Sequence, residues 1–114
     1  MNNIKRKSKL KEEESYFNVL RIIKNKPNYS QRELARDLGF SLGKLNYCLK
    51  ELKLKGLIKI KNFKNNPNKL GYLYILTPKG ISAKTRLTID FMKRKIKEYD
   101  ELKKELRDKN VDSN

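Results

Sequence analysis

The chain has 114 residues, with 29 Lys and Arg against 13 Asp and Glu, for a formal net charge of +16. That length supports one domain with a modest core, and the charge excess favours a polyanionic partner, nucleic acid before an anionic membrane surface. With no histidine and a single cysteine, the chain lacks the commonest general base and metal ligand and any intrachain disulfide, so nothing in it reads as an enzyme or as a holder of a cofactor.

Residues 1–11 contain Lys5, Arg6, Lys7, Lys9 and Lys11 and no acid. They are expected to form a disordered basic arm that adds diffuse attraction to a polyanion. No apolar core follows this basic start, so it does not read as a secretory signal. Nor does any apolar run approach the roughly 20 residues that span a bilayer. Glu12, Glu13 and Glu14 suit the first turn of a helix, where carboxylates meet the positive end of the macrodipole. That helix is expected to bury Tyr16, Phe17, Val19, Leu20, Ile22 and Ile23 and to stop before Pro27.

Ser30 and Glu33 form a capping-box pattern that opens a second helix, with Leu34, Ala35 and Leu38 as its apolar stripe. Gly39 stops it, because glycine enters the left-handed turn without steric cost. Ser41 caps a third helix, in which Leu42, Leu45, Leu49 and Leu52 recur at helical spacing, and Gly56 ends it. Residues 57–61 alternate apolar and basic side chains as a half-buried strand does. Residues 62–71 are dense in turn formers and hold Lys64 and Lys69, as a hairpin tip would, and residues 72–77 return as a second strand. The expected architecture is mainly α with a small β-hairpin: a winged helix-turn-helix over residues 12–77.

Thr77 and Pro78 read as an N-cap followed by proline at the first helical position. From there to about Lys109 only Gly80, in the first turn, weakens a helix. A helix over 78–109 would be roughly 48 Å long, more than a domain this size can cover. Ile89, Met92, Ile96, Tyr99, Lys103 and Leu106 recur at spacings of three and four, with Leu102 beside them. This heptad seam with one charged interruption is expected to pair with a second copy, giving a homodimer through the C-terminal helix. Residues 110–114 are expected to fray.

Two short helices about a glycine turn are the helix-turn-helix order, in which the second helix enters the major groove of duplex DNA. Placing Leu45, Leu49 and Leu52 toward the core turns Gly43, Lys44, Tyr47, Lys50, Glu51 and Leu54 outward, with Asn46 on the flank. Ser41 and Gly43 would lie near the DNA backbone, where helix-start amides meet a phosphate; Ser30 and Gln31 hold the equivalent place on the preceding helix. Asn46 can pair with adenine and lysine can donate to guanine acceptors, while Tyr47 can bond a phosphate or pack on a thymine methyl. Lys59, Lys61, Lys64 and Lys69 decorate the hairpin and can hold the backbone or the adjacent minor groove. The same lysines would also keep the sheet edge from associating with another. Phe63 reads as a packing residue at the hairpin base, and Cys48 as a small apolar filler on the buried side of the third helix.

The runs SQRELARDLG, SLGKLNYCLKELKLKGLIKIKNF and KLGYLYILTPKGI together resemble the small MarR-type winged-helix regulators, and within them the exopolysaccharide-associated subgroup. The resemblance covers about residues 16–106. It implies a dimeric transcriptional regulator of surface-polysaccharide genes, working in a bacterial cytoplasm on the nucleoid. Larger MarR proteins use N- and C-terminal helices together to dimerise and to frame a ligand pocket. The N-terminal region is short by comparison, and no segment signals an effector. Two other classes stay open on sequence: a winged-helix module for protein contacts, and a charge-driven, non-specific nucleic-acid binder. Lysines on the outward face speak against the first, since protein-binding faces are depleted of lysine.

Overall fold

The computed structural model describes residues 2–62 and 72–112. Its elements run α1 (Asn2–Asn25), α2 (Gln31–Leu38), α3 (Leu42–Leu54), β1 (Ile58–Asn62), β2 (Tyr72–Leu76) and α4 (Pro78–Asp112). The order is that of a winged helix-turn-helix followed by one long helix.

The first correction is at the N-terminus. Residues 2–11 are not a disordered arm; they are the first half of α1, and the three glutamates lie in mid-helix with no acid in the first turn. Lys and Arg are good helix formers, and no Gly or Pro interrupts the segment before Pro27. Tertiary packing adds the rest. Lys7, Leu10, Lys11 and Glu14 face Phe91, Arg94, Lys95 and Glu98 across a crevice between α1 and α4. One turn further on, the rings of Phe17 and Phe91 pack at 5.5 Å. The two helices are therefore antiparallel, and α4 supplies the apolar surface that an isolated basic segment would lack. At the other end α4 continues through Asp112, so residues 110–112 are helical where fraying was expected.

Helix ends follow the sequence closely. The Ser30 hydroxyl accepts the Glu33 amide at 3.2 Å while the Glu33 carboxylate accepts the Ser30 amide at 3.2 Å, a closed capping box. Gly39 has φ +69°, and the Phe40 amide reaches back to the Ala35 carbonyl at 2.9 Å, which satisfies the last turn of α2. The end of α3 repeats this pattern: Gly56 has φ +73°, and the Leu57 amide donates to the Leu52 carbonyl at 2.9 Å.

The core lies where α1, α2 and α3 meet. Val19, Leu20, Leu34, Leu45 and Leu52 are fully buried, joined by Tyr16, Ile23, Cys48, Leu49, Ile58 and Tyr74. Ile22 and Leu38 are half-buried at its edge. Leu42, expected in the buried stripe of α3, is 45% exposed. It opens the helix, one turn before the first position that α1 covers.

The hairpin is antiparallel, with Ile58 opposite Leu76, Lys59 opposite Ile75, Ile60 opposite Tyr74 and Lys61 opposite Leu73. Ile58 and Tyr74 are buried, while Lys59 and Lys61 point to solvent, as period-two alternation requires. The expected tip, with Phe63, Lys64 and Lys69, lies outside the described residues. Thr77 then locks α4 to the end of α3. Its hydroxyl donates to the Gly56 carbonyl at 2.6 Å and accepts the Gly80 amide at 3.0 Å, while its own amide donates to the Leu57 carbonyl at 3.0 Å. Gly80 sits so close to Leu57 that a Cβ there would overlap the Leu57 carbonyl.

The molecule measures 68 × 29 × 25 Å. Its long dimension reflects α4, whose 35 residues extend about 52 Å at 1.5 Å per residue. From 95 to 109 every residue of α4 is exposed.

Candidate nucleic-acid interface

The outward face of α3 is built by what lies behind it. Leu45, Leu49 and Leu52 are buried against α1 and α2, so the opposite side of the helix must face water. Gly43, Lys44, Asn46, Tyr47 and Lys50 are all exposed there, as the helical count predicts. Leu54 extends this face and is 72% exposed. Glu51, also counted on that side, is half-buried.

The start of α3 faces the same way. The Ser41 hydroxyl accepts the Lys44 amide at 3.1 Å, leaving the amides of Leu42 and Gly43 without intrahelical partners. Free amides at the positive end of a helix dipole are the kind of group that can receive an anion. Lys44 is partly committed, with its ammonium 4.0 Å from the centroid of the Phe40 ring. This contact holds the charge over the α2–α3 turn. Lys50 has no such contact among the described residues. Among the described residues the ion pair is Lys95 with Glu98 on α4, at 3.5 Å; Lys44, Lys50, Lys59 and Lys61 have no carboxylate neutralising them.

Two of the candidate residues are tied to the scaffold in ways the sequence did not signal. The Gln31 amide donates to the Tyr74 hydroxyl at 2.7 Å, joining the start of α2 to the hairpin. Gln31 therefore braces the wing, and Ser30, half-buried, spends its hydroxyl on the cap. Tyr47, 55% exposed on the outer face, has the buried Tyr16 as neighbour. The Tyr16 hydroxyl donates to the Glu12 carboxylate at 2.6 Å, and the Lys55 ammonium lies 4.6 Å from its ring centroid. Burial first, then the hydrogen bonds to Glu12 and Tyr47, push the Tyr16 phenol well above its ordinary pKa. These links join residues 12, 16, 47 and 55, spacings that carry no motif; only the crossing of α1 over α3 brings them together.

Cys48 is buried at 3% exposure. Burial pushes its thiol pKa up against the opposing pull of Lys44, which suits a packing residue rather than a reactive one. Lys59 and Lys61 on β1 are exposed. Lys64 and Lys69 lie outside the described residues. The seam of α4 is bare: Ile89 is 48% exposed, Met92 57%, Ile96 56%, Tyr99 64%, Leu102 61% and Leu106 64%. Ile81 is also exposed, so the uncovered apolar side begins nearer the winged domain than the heptad count had placed it.

Residues 15–59 match a family model described as winged helix-turn-helix DNA-binding. A comparison with curated proteins finds no match. Among solved structures, the chain is similar to Staphylococcus aureus MarR in complex with salicylate and kanamycin, with a TM-score of 0.61 and 21% identity over 76% of this chain and 57% of that one. It is similar to the PcaV transcriptional regulator from Streptomyces coelicolor in complex with its natural ligand, with a TM-score of 0.62 and 19% identity over 69% and 55%. The S. aureus MepR–DNA complex gives a TM-score of 0.60 and 17% identity over 99% of this chain and 93% of that one. The chain thus spans a little over half the length of the first two proteins and nearly all of the third. At these identities the likeness is one of fold, the winged helix-turn-helix.

Proposed function

We propose that this chain is a sequence-specific, double-stranded DNA-binding transcriptional regulator that acts as a homodimer and catalyses no reaction. The observation that carries the reading is the outer face of α3, where Lys44, Asn46, Tyr47 and Lys50 stand exposed above a fully buried leucine stripe. In this reading α3 lies in the major groove. Lys44 and Lys50 donate to guanine N7 and O6, Asn46 pairs with adenine, and Tyr47 reaches a thymine methyl or a phosphate. The free amides at the start of α3 hold a phosphate, and Lys59 and Lys61, with Lys64 and Lys69, hold the flanking backbone.

Dimerisation follows from α4. Its apolar seam is bare along much of the helix, and a fully buried isoleucine or methionine side chain contributes about 1.5–3 kcal/mol. Two such helices joined by a two-fold axis would present two recognition helices to the half-sites of a palindrome. The likeness to MarR-type regulators, one of them solved with DNA, supports this. The sequence resemblance to the exopolysaccharide-associated subgroup extends the proposal to bacterial surface-polysaccharide genes, regulated from the cytoplasm. No helix among the described residues is long and apolar enough to cross a membrane.

The net charge of +16 also favours a second reading, a binder of any duplex through its phosphates. Selection of binding sites from random duplexes at physiological salt separates the two. A regulator enriches one motif with palindromic half-sites; recovery of random sequence after several rounds would leave only the charge-driven reading. Sedimentation of the full chain at micromolar concentration tests the dimer.

A further inference from the structure

Two faces of α4 have different fates. One side carries Phe91, Arg94, Lys95 and Glu98 and is occupied by α1. The seam lies about a third of a turn away and is uncovered. Assigned as a heptad, Ile89, Ile96 and Lys103 take the a positions and Met92, Tyr99 and Leu106 the d positions. Lys93, Asp100 and Arg107 then flank the seam on one side, and Thr88, Lys95 and Leu102 on the other.

The occupant that fits this seam is a second copy of the same helix, and the charges choose how it lies. In a parallel pair identical positions meet, so the two Lys103 ammonium groups would share one core layer. Running the second helix antiparallel replaces that layer. Ile96 then packs beside Tyr99 of the partner subunit, Ile89 beside the partner's Leu106, and Lys103 beside the partner's Met92, where its stem lies on the thioether and its ammonium reaches water. The flanking positions follow from this alignment. Lys93 faces the partner's Asp100 twice about the two-fold axis, and Lys95 lies against the partner's Leu102. Sliding the pair one heptad toward the winged domains would put Lys93 against the partner's Lys93 on the axis. Sliding it the other way would put Asp100 against the partner's Asp100. The chosen alignment leaves like charges only at the ends, where Arg86 approaches the partner's Arg107. Lys93 and Asp100 are both exposed and form no ion pair among the described residues, which leaves both available to a partner.

We propose that two copies of α4 pair antiparallel with Ile96 beside the partner's Tyr99, and that a reciprocal Lys93–Asp100 contact sets this register. The inference rests on the homodimer reading above and specifies its geometry.

The test uses the full chain and charge reversals at exposed positions. Lys93→Glu and Asp100→Lys each turn two attractive contacts into two repulsive ones, so either alone should weaken dimerisation about tenfold by sedimentation. The double variant Lys93→Glu/Asp100→Lys should recover to within about threefold of the original, and raising the salt should shrink all three differences. Circular dichroism of each variant checks that helix content is unchanged. In a parallel pair Asp100 would instead face Lys95 of the partner subunit. Rescue of Asp100→Lys by Lys95→Glu but not by Lys93→Glu would therefore overturn the register. A chain that dimerises with indifference to both single reversals overturns it as well and leaves the dimer standing. A chain that stays monomeric at every concentration removes the dimer and the register together.

Discussion

Lys50→Ala is the sharpest perturbation of the proposed recognition helix. Lys50 is exposed on the outer face of α3, one turn beyond Tyr47 and Asn46, and makes no ion pair among the described residues. Its removal therefore costs the fold little, in contrast to Lys44→Ala, which also forfeits the stacking on Phe40, about 0.5–1 kcal/mol at an exposed site. If Lys50 reads a base, each half-site loses about 1–3 kcal/mol of discrimination. Two half-sites lose about 2–6 kcal/mol, so the ratio of specific to random affinity falls roughly thirtyfold or more. Lys61→Ala is the control. It lies on β1 with its charge in solvent, where a phosphate contact carries no sequence information. That variant should weaken selected and random duplexes equally and lower the slope of log affinity against log salt by about 0.9 per phosphate released, near 1.8 for a dimer. Fluorescence anisotropy with both duplexes between about 50 and 200 mM salt, where phosphate contacts weaken steeply, measures the ratio and the slope together. If Lys50→Ala lowers both affinities by one factor while Lys61→Ala changes the ratio, α3 is not the reading element and the argument from its buried stripe fails.

Other variants probe the scaffold. Leu45→Ala empties a site with 0% exposure at the junction of α1 and α3 and should cost about 2–5 kcal/mol in urea unfolding. Gly80→Ala forces a methyl onto the Leu57 carbonyl; because backbone must shift, a loss of about 1–3 kcal/mol is expected, whereas an unchanged melting temperature would mean α4 is not seated there. Tyr16 gives a pH prediction. Burial and the hydrogen bond to Glu12 raise its phenol in the folded chain above the ordinary tyrosine value, so its protonated form stabilises the fold below that ordinary value and the contribution is lost as the pH climbs through the raised one. Alkaline unfolding should therefore be less steep in Tyr16→Phe. Finally, Cys48 is buried with its thiol pKa raised, so alkylation at neutral pH should be slow in the native chain and fast in denaturant.

Most of the helix-turn-helix was legible from sequence because its signals are local. Ser30 with Glu33, Gly39, Ser41 and Gly56 specify where helices begin and end through contacts within a few residues, and each is found in that role. The leucine stripe of α3 fixes its outward face by periodicity alone, and the alternation at 58–61 does the same for β1. Thr77 and Pro78 marked the start of α4, and the seam from Ile89 to Leu106 declared itself by spacing.

Tertiary structure decided what depends on distant residues. Residues 2–11 carry too few apolar side chains to announce a helix, and the packing of Lys7, Leu10 and Lys11 beside Phe91 and its neighbours joins residues some 80 positions apart in the chain. Gly80 looked merely tolerated in a first turn; the fold shows that no larger residue fits against Leu57. Gln31 was legible as polar and near the helix start, but its bond to Tyr74 spans 43 positions. The joining of Glu12, Tyr16, Tyr47 and Lys55 likewise exists only where α1 crosses α3. Local chemistry determines where each element starts, stops and turns its face; which polar groups those faces then bring together is set by packing, because no short-range pattern encodes a contact between helices.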